Sequence, residues 1–319
     1  MKYDLIIIGS GAAGLSAALY ARRYKMETLV IEGEFGGETA TAGAIENYPG
    51  ILFIDGFDLV KAMQKQAKDI GAVFEKGKAE KISSDGNCFT VKVGEKEFQG
   101  NTVILAIGSQ RRHLGLPNEK ELTGKGVHYC VTCDGPVYSG KTVAMVGGGD
   151  SSVKGVNFLS EYAKKIYLIV RGKEVMAEPV NLERMKAQGN KVEVLLETEV
   201  AAIMGEKFLE KLVLSKEYKG SRDLKVDGMF VEVGFDPDKT FAEQLGIELD
   251  EKGYMKVDNL MKTNVPGVFA AGDTTNHFGR FKQDITAAAL GSVAATSAYE
   301  YHQTHGDICE LHGKVPDTK

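Results

Sequence analysis

The chain has 319 residues, with 39 Lys plus Arg against 44 Asp plus Glu and a formal net charge of −5. That length holds two domains of ordinary size, and the charge balance argues against a nucleic-acid or anionic-membrane partner. At 26% charged and 43% hydrophobic residues, the composition is that of a soluble globular protein, not a disordered one. The apolar run that ends at Gly9 is too short for a signal-peptide core. The longest uncharged stretch, residues 285–299, is built from small residues and falls short of a membrane span. Cys88, Cys130, Cys133 and Cys309 do not make a structural disulfide framework, so the expected compartment is the cytoplasm.

Residues 3–8 form an apolar run of strand length, as in a strand buried in a parallel sheet. Gly9-Ser10-Gly11-Ala12-Ala13-Gly14 follows, then a small-residue helix to Arg23 and a second strand, 28–31, ending at Glu32. This is a βαβ unit with G-x-G-x-x-G in its first turn and an acidic residue about 20 positions on. The glycines let backbone approach a pyrophosphate, the helix N-terminus offers it unpaired N–H groups, and Glu32 can accept from a ribose. A helix over about 56–70 leads to a small antiparallel meander broken at Ser84-Asp85-Gly86-Asn87 and Gly94-Glu95-Lys96. The meander ends in a further buried strand over 103–108. Cys88 follows a turn and reads as a half-buried strand residue.

Cys130-Val131-Thr132-Cys133 then precedes a repeat of the first pattern. Strand 142–146 runs into Gly147-Gly148-Gly149-Asp150-Ser151-Ser152, a helix and a strand over 165–170. A lone glycine fingerprint is weak evidence, whereas two in one chain, each between strand and helix, are much stronger. Another strand spans 227–234, and the chain closes with Val268-Phe269-Ala270-Ala271-Gly272-Asp273 and an Ala-rich helix from about Ile285. A C-x-x-C pair suits a reversible disulfide. A zinc half-site would need two more ligands, and His128 is the one nearby candidate. Asp134 is open to two readings, a turn former in Asp134-Gly135-Pro136 or a general acid/base for the thiols. His302, His305, Cys309 and His312 would share a stripe on a long helix, but Gly306 and Gly313 argue against one.

The chain resembles the low-molecular-weight thioredoxin reductases over nearly its whole length. The resemblance rests on Gly9/Gly11/Gly14 with Glu32, Gly36-Gly37-Glu38, Glu46-Asn47-Tyr48-Pro49-Gly50, Cys130 to Asp134, Gly147 to Ser151 and Gly272-Asp273. It implies an α/β protein of two Rossmann-like, three-layer ββα domains, the second inserted into the first. An FAD domain would comprise 1–115 and 246–319, and a nicotinamide-type domain carrying the redox cysteines 116–245. Larger flavoprotein disulfide reductases carry their cysteines shortly after the first βαβ unit, where residues 36–43 here have none.

By the same resemblance, Cys133 faces the flavin, Cys130 is the exposed thiol that attacks substrate, and Asp134 is the acid/base. FAD would be bound by Gly9, Gly11, Ala12, Ala13, Gly14, Glu32, Gly36, Gly37, Glu38, Asn47, Ala79, Ala106, Gly108, Gly272, Asp273, Lys282, Gln283 and Asp284. A nicotinamide cofactor would meet Gly147, Gly149, Asp150, Ser151, Ser152, Arg171, Lys173 and Gly234. The family alternates its domains by rotation, with hinges expected here at 113–117 and 241–246. The sequence departs from the family pattern near the flavin ring, with Glu38 for Gln, Lys282 for Arg and Asp284 for Ala. It also departs where NADPH users carry His-Arg-Arg and a further Arg. The corresponding residues are Val170, Arg171, Gly172 and Met176, so NADPH is not expected to be the efficient donor, and NADH or reduced ferredoxin takes its place. The expected partners are thioredoxin, ferredoxin and a second copy of the chain. The alternatives are a ferredoxin- or flavodoxin-linked NAD(P) reductase, or a non-catalytic flavin-binding scaffold.

Overall fold

The computed structural model describes residues 2–85, 88–279 and 281–306. It opens with strand β1 (Lys2–Ile8), helix α1 (Ala12–Arg23) and strand β2 (Thr28–Glu32). β1 and β2 are parallel, with Ile8 beside Ile31, and every residue of β2 is buried, as a strand covered on both faces requires. Helix α2 (Gly56–Asp69) starts where the Asp55 carboxylate accepts the Phe57 N–H, an N-cap that satisfies an otherwise orphaned donor. Strands β3 (Val73–Lys76), β4 (Ala79–Ser84), β5 (Phe89–Val93) and β6 (Lys96–Leu105) follow. The first half of β6 pairs antiparallel with β5 and its second half runs parallel to β1. One strand therefore joins the meander to the parallel sheet, in the order β3-β2-β1-β6-β5-β4. Cys88 is 2% exposed and lies just before β5. It is thus fully buried, not half-buried as expected, and its N–H donates to Asp85 Oδ1 across the turn.

The next stretch builds a second sheet. It contributes β7 (Val127–His128), the short helix α3 (Val131–Asp134), β8 (Thr142–Val146), α4 (Asp150–Leu159), β9 (Lys165–Ile169) and β10 (Val192–Leu195). A three-stranded antiparallel sheet of β11 (Val200–Met204), β12 (Lys211–Tyr218) and β13 (Ser221–Lys225) precedes β14 (Gly228–Val231). The parallel order is β7-β14-β8-β9-β10. The chain then returns to the first sheet, where β15 (Val268–Ala270) lies along β6 and α5 (Asp284–His305) covers α1. A Cβ at Gly291 would stand 2.0 Å from the Ala13 carbonyl oxygen, so α5 reaches α1 only because that position has no side chain.

Two compact units result, one of residues up to Gln110 and from Pro237 onward, the other Arg111–Asp236. Each is three-layered. In the first, Leu5 and Ile7 point to the helical layer with Ala17, Ala294 and Ala298, while Ile6 and Ile8 point to the meander with Val91 and Phe241. In the second, Ala144 and Val146 face Ile203 and Leu212, and Val143 and Met145 face Val153 and Val156. The borders lie short of the expected 115/116 and 245/246, and packing explains both differences. The amides of Leu114, Gly115 and Leu116 all donate to the Glu119 carboxylate inside the second unit. Phe241 and Ala242, on the helix Thr240–Leu245, are buried in the core of the first. The segments expected as hinges, 113–117 and 241–246, thus fall within the second and the first unit respectively. Among the described residues no helix is long and apolar enough to cross a membrane.

Candidate active site

In the first unit the turn between β1 and α1 shows what each glycine does. Gly9 has φ +111°, and a Cβ there would stand 2.1 Å from the Ala106 carbonyl oxygen. A Cβ at Gly14 would meet the Gly9 carbonyl oxygen at 2.0 Å. Both are required by the packing of the turn against Ala106 and α1. Gly11 is different, since the nearest atom to its added Cβ is Gly36 O at 3.6 Å, and for Gly37 it is Gly11 Cα at 3.9 Å. The protein leaves open space over Gly11 and Gly37, in front of α1's N-terminus, where Ala12 and Ala13 are buried. Such a cradle of backbone N–H groups admits a pyrophosphate.

Glu32, at the end of β2, is 6% exposed and accepts from Gln64 Nε2 at 2.6 Å. Gln64 was not among the expected site residues, because its contact joins two elements 32 residues apart. Ala79 begins β4 and is buried, and Gly108 adopts φ +63° just after β6.

The other end of this site gathers around the start of α5. Asn47 Nδ2 donates to Gln283 Oε1 at 2.9 Å, and Thr39 Oγ1 donates to Asp284 Oδ1 at 2.6 Å. Lys282 Nζ donates to the Thr275 carbonyl at 2.6 Å and stands 4.6 Å from the centre of the Tyr254 ring. Burial pulls the Lys282 pKa below the ordinary lysine value, against Asp273 and Asp250. Asp273, in the turn Gly272–Thr274 after β15, has its pKa pushed up to about 6. Burial is the main cause; Lys282 opposes it, while Asp284 and Glu38 reinforce it. Burial and Asp284 also raise the Tyr48 hydroxyl. Asp273 is thus close enough to feel both Glu38 and Asp284. These three carboxylates with one lysine are what the sequence departures at Glu38, Lys282 and Asp284 become in space.

In the second unit Cys130 and Cys133 form a disulfide, with Cα atoms 5.3 Å apart. Cys130 is the N-cap of α3, and its Sγ accepts the Cys133 N–H at 3.3 Å. Cys133 is exposed and Cys130 half-buried. Capping draws the Cys130 sulfur against the first turn of α3. That N–H would stabilise negative charge on the Cys130 sulfur once the disulfide opens. Asp134 Oδ2 lies 3.0 Å from His128 Nδ1, whose Nε2 is 2.7 Å from Tyr138 Oη. Both histidine nitrogens and both sulfurs are therefore already engaged, which answers the zinc half-site with specific partners.

The second glycine turn repeats the first. Gly147 has φ +144° and a Cβ there would stand 2.1 Å from Glu232 O, while Gly149 has no atom within 4 Å of an added Cβ. Ser152 is fully buried, accepting the Gly149 N–H at 3.1 Å and reaching Glu232 O at 3.4 Å. Its side chain braces the turn. Asp150 accepts the Glu178 N–H and Asn181 Nδ2 and pairs with Lys154. Burial acts to raise its pKa, and these partners more than reverse it. Ser151, Arg171 and Lys173 are exposed, and Gly234 accepts the Arg112 N–H. His302 and His305 lie at the end of α5, with His302 Nε2 3.7 Å from Asp4 Oδ1 and His305 stacked on Tyr301. Cys309 and His312 lie outside the described residues.

A family model described as pyridine nucleotide-disulphide oxidoreductase matches residues 3–294. The thioredoxin reductase of Mycolicibacterium smegmatis is 40% identical over 300 residues, covering 93% of this chain and 95% of that one. The chain belongs to the low-molecular-weight thioredoxin reductase family. The crystal structure of the Lactococcus lactis thioredoxin reductase matches this family member with a TM-score of 0.89 at 32% identity, over 95% of this chain and 99% of that one. A structure described as a ferredoxin-flavin thioredoxin reductase, from Clostridium acetobutylicum, is 32% identical over 95% and 99% of the two chains, with a TM-score of 0.51.

Proposed function

We propose that this protein is an FAD-dependent thioredoxin-disulfide reductase that passes electrons from a low-potential donor to the Cys130–Cys133 disulfide and on to thioredoxin. The observation that carries this reading is the disulfide itself, formed across the first turn of α3 with Asp134 next to it. Two glycine turns, each open over its middle or last glycine, support two dinucleotide sites in the same chain.

The residues of the first unit fit FAD. Gly9, Gly11, Ala12, Ala13, Gly14, Gly36 and Gly37 would cradle the pyrophosphate, and Glu32 would take the ribose hydroxyls. Gly272-Asp273 would meet the ribityl and phosphate region, with Ala79, Ala106 and Gly108 as walls. Glu38, Asn47, Lys282, Gln283 and Asp284 would border the ring. Bound there, FAD supplies two-electron redox chemistry. The chain's own part is thiol chemistry. The Cys130 thiolate attacks thioredoxin's disulfide, the Cys133 thiolate resolves the mixed disulfide, and Asp134 exchanges protons with the departing sulfurs.

The donor we propose is reduced ferredoxin. Of the cationic groups that a nicotinamide 2′-phosphate requires, the loop after β9 offers Arg171 and Lys173, both exposed. Met176, 69% exposed, stands where a further guanidinium is expected, and no carboxylate replaces the lost arginines to favour NADH. The likeness to a ferredoxin-flavin enzyme supports the same reading. The active form is a cytoplasmic homodimer. An NAD(P) reductase of similar fold has no use for the disulfide, and a scaffold has none either. Anaerobic titration of the flavin with NADPH, NADH and reduced ferredoxin, followed by thioredoxin and a disulfide dye, tests all of this. Flavin reduced by ferredoxin with no electrons reaching thioredoxin would refute the assignment.

A further inference from the structure

His128 is 8% exposed at the end of β7 and is held from both sides, its Nδ1 3.0 Å from Asp134 Oδ2 and its Nε2 2.7 Å from Tyr138 Oη. Its ring stacks on Phe230 with centroids 5.3 Å apart, and Tyr138 meets both rings edge-on. Disulfide exchange by itself requires no histidine here. The directions of the hydrogen bonds follow from the carboxylate, which accepts from Nδ1–H at Asp134 Oδ2; with the ring proton on Nδ1, Nε2 accepts from Tyr138 Oη–H. Burial, with the carboxylates of Asp134 and Asp227 adding, pushes the Tyr138 hydroxyl up to about 12, so it keeps its proton. The charged groups around the relay are Asp134 itself, Asp227 and the Lys141 ammonium, 5.3 Å from the centre of the Tyr138 ring. The rest of the wall includes Phe230 and Val131.

We propose that His128, locked between Tyr138 and Asp134, is a positioning residue that fixes the Asp134 carboxyl for proton exchange with the Cys130/Cys133 thiols. The proposal rests on the reductase reading above. In that reaction the Cys130 thiolate attacks one thioredoxin sulfur; the thioredoxin S–S bond breaks, a mixed disulfide forms and the departing sulfur takes a proton. The Cys133 thiolate then attacks Cys130 Sγ, the enzyme disulfide re-forms and the second thioredoxin sulfur takes another proton. Two electrons and two protons reach thioredoxin. With Oδ2 held by Nδ1–H, Asp134 offers Oδ1 to the sulfurs without having to freeze its own rotation at each step.

The test uses the flavin-loaded enzyme, its flavin photoreduced, with thioredoxin reduction followed across the neutral pH range. The chains compared are the wild type, Asp134→Asn, His128→Leu, His128→Asn and Tyr138→Phe. His128→Leu is expected to slow thioredoxin reduction by about tenfold to a hundredfold and to change its pH profile. His128→Asn keeps a donor for Asp134 and should recover much of the rate, while Tyr138→Phe should alter the profile with a smaller loss. Wild-type rate and profile in His128→Leu, beside a slow Asp134→Asn, would overturn the proposal and leave the reductase reading standing. A wild-type rate in Asp134→Asn would overturn the proposal by removing the acid/base role of Asp134, whereas a flavin-loaded wild type that reduces no thioredoxin would remove the reductase reading itself. If His128→Leu does not fold, unchanged pH profiles in both His128→Asn and Tyr138→Phe would overturn the proposal on their own.

Discussion

Asp273 shows how a single residue can be kept at the expense of the empty fold. Its carboxyl, pushed up to about 6 mainly by burial, binds a proton in the folded protein at pH values where the unfolded chain has already lost it. The folded state therefore holds more protons between about pH 4 and 6, and stability falls as pH rises through that window. Above it, the buried charge costs about 2–3 kcal/mol. Asp273→Asn is expected to raise the melting temperature of the flavin-free protein at neutral pH, with the difference shrinking below about pH 4, and to weaken FAD binding. A flavin-free wild type that melts above the variant at neutral pH would contradict this. Cys130 and Cys133 offer a second test at the same scale. Cys133→Ser should end electron transfer out of the flavin, whereas Cys130→Ser should keep Cys133 beside it and show a long-wavelength absorption band. Neither variant should reduce thioredoxin. The band appearing in Cys133→Ser instead would reverse the two roles.

At the scale of elements, the two strand–turn–helix units were legible because each is written in consecutive residues. Thr142–Val146, Ala12–Arg23 and the start of α5 stand where the periodicity and glycines put them. What escaped were partners brought together by tertiary packing, such as Thr39 with Asp284 across 245 residues and Gln64 with Glu32. The domain borders escaped for a similar reason. They depend on whether Glu119 gathers three amides and whether Phe241 finds a core, and neither is visible locally. In the sequence His128 stands out only as the one candidate near a zinc half-site that lacks two ligands, because its partners Asp134, Tyr138 and Phe230 are brought to it by tertiary packing. The turn itself yields a sharper test than its motif. Gly14→Ala drives a Cβ to 2.0 Å from the Gly9 carbonyl oxygen, whereas Gly11→Ala meets nothing closer than 3.6 Å. Gly14→Ala should therefore yield little folded protein, while Gly11→Ala should fold with near-wild-type stability and lose flavin. Full flavin occupancy in purified Gly11→Ala would show that the space over Gly11 is not the pyrophosphate site.

For the molecule as a whole, the second unit keeps the architecture of a nicotinamide site without the charges that select its usual ligand. Gly149 leaves the turn open, and α4 begins there with its unpaired N–H groups, so a pyrophosphate could still be received. The 2′-phosphate is another matter, since it wants permanently charged, bidentate partners. Arg171 is one such group, Lys173 adds a point charge, and Met176 adds none. Two missing charge-assisted contacts at about 1.5–3 kcal/mol each weaken binding by about two to four powers of ten. A plant-type ferredoxin cluster near about −400 mV lies well below thioredoxin at about −270 mV, so ferredoxin can drive the reaction downhill without that pocket. Steady-state turnover is thus expected to be fast with reduced ferredoxin and slow with either nicotinamide. Substituting Val170→His, Gly172→Arg and Met176→Arg together should restore much of the missing NADPH affinity, read as a lower KM. A micromolar KM and rapid turnover with NADPH in the unmodified enzyme would show instead that Arg171 and Lys173 suffice.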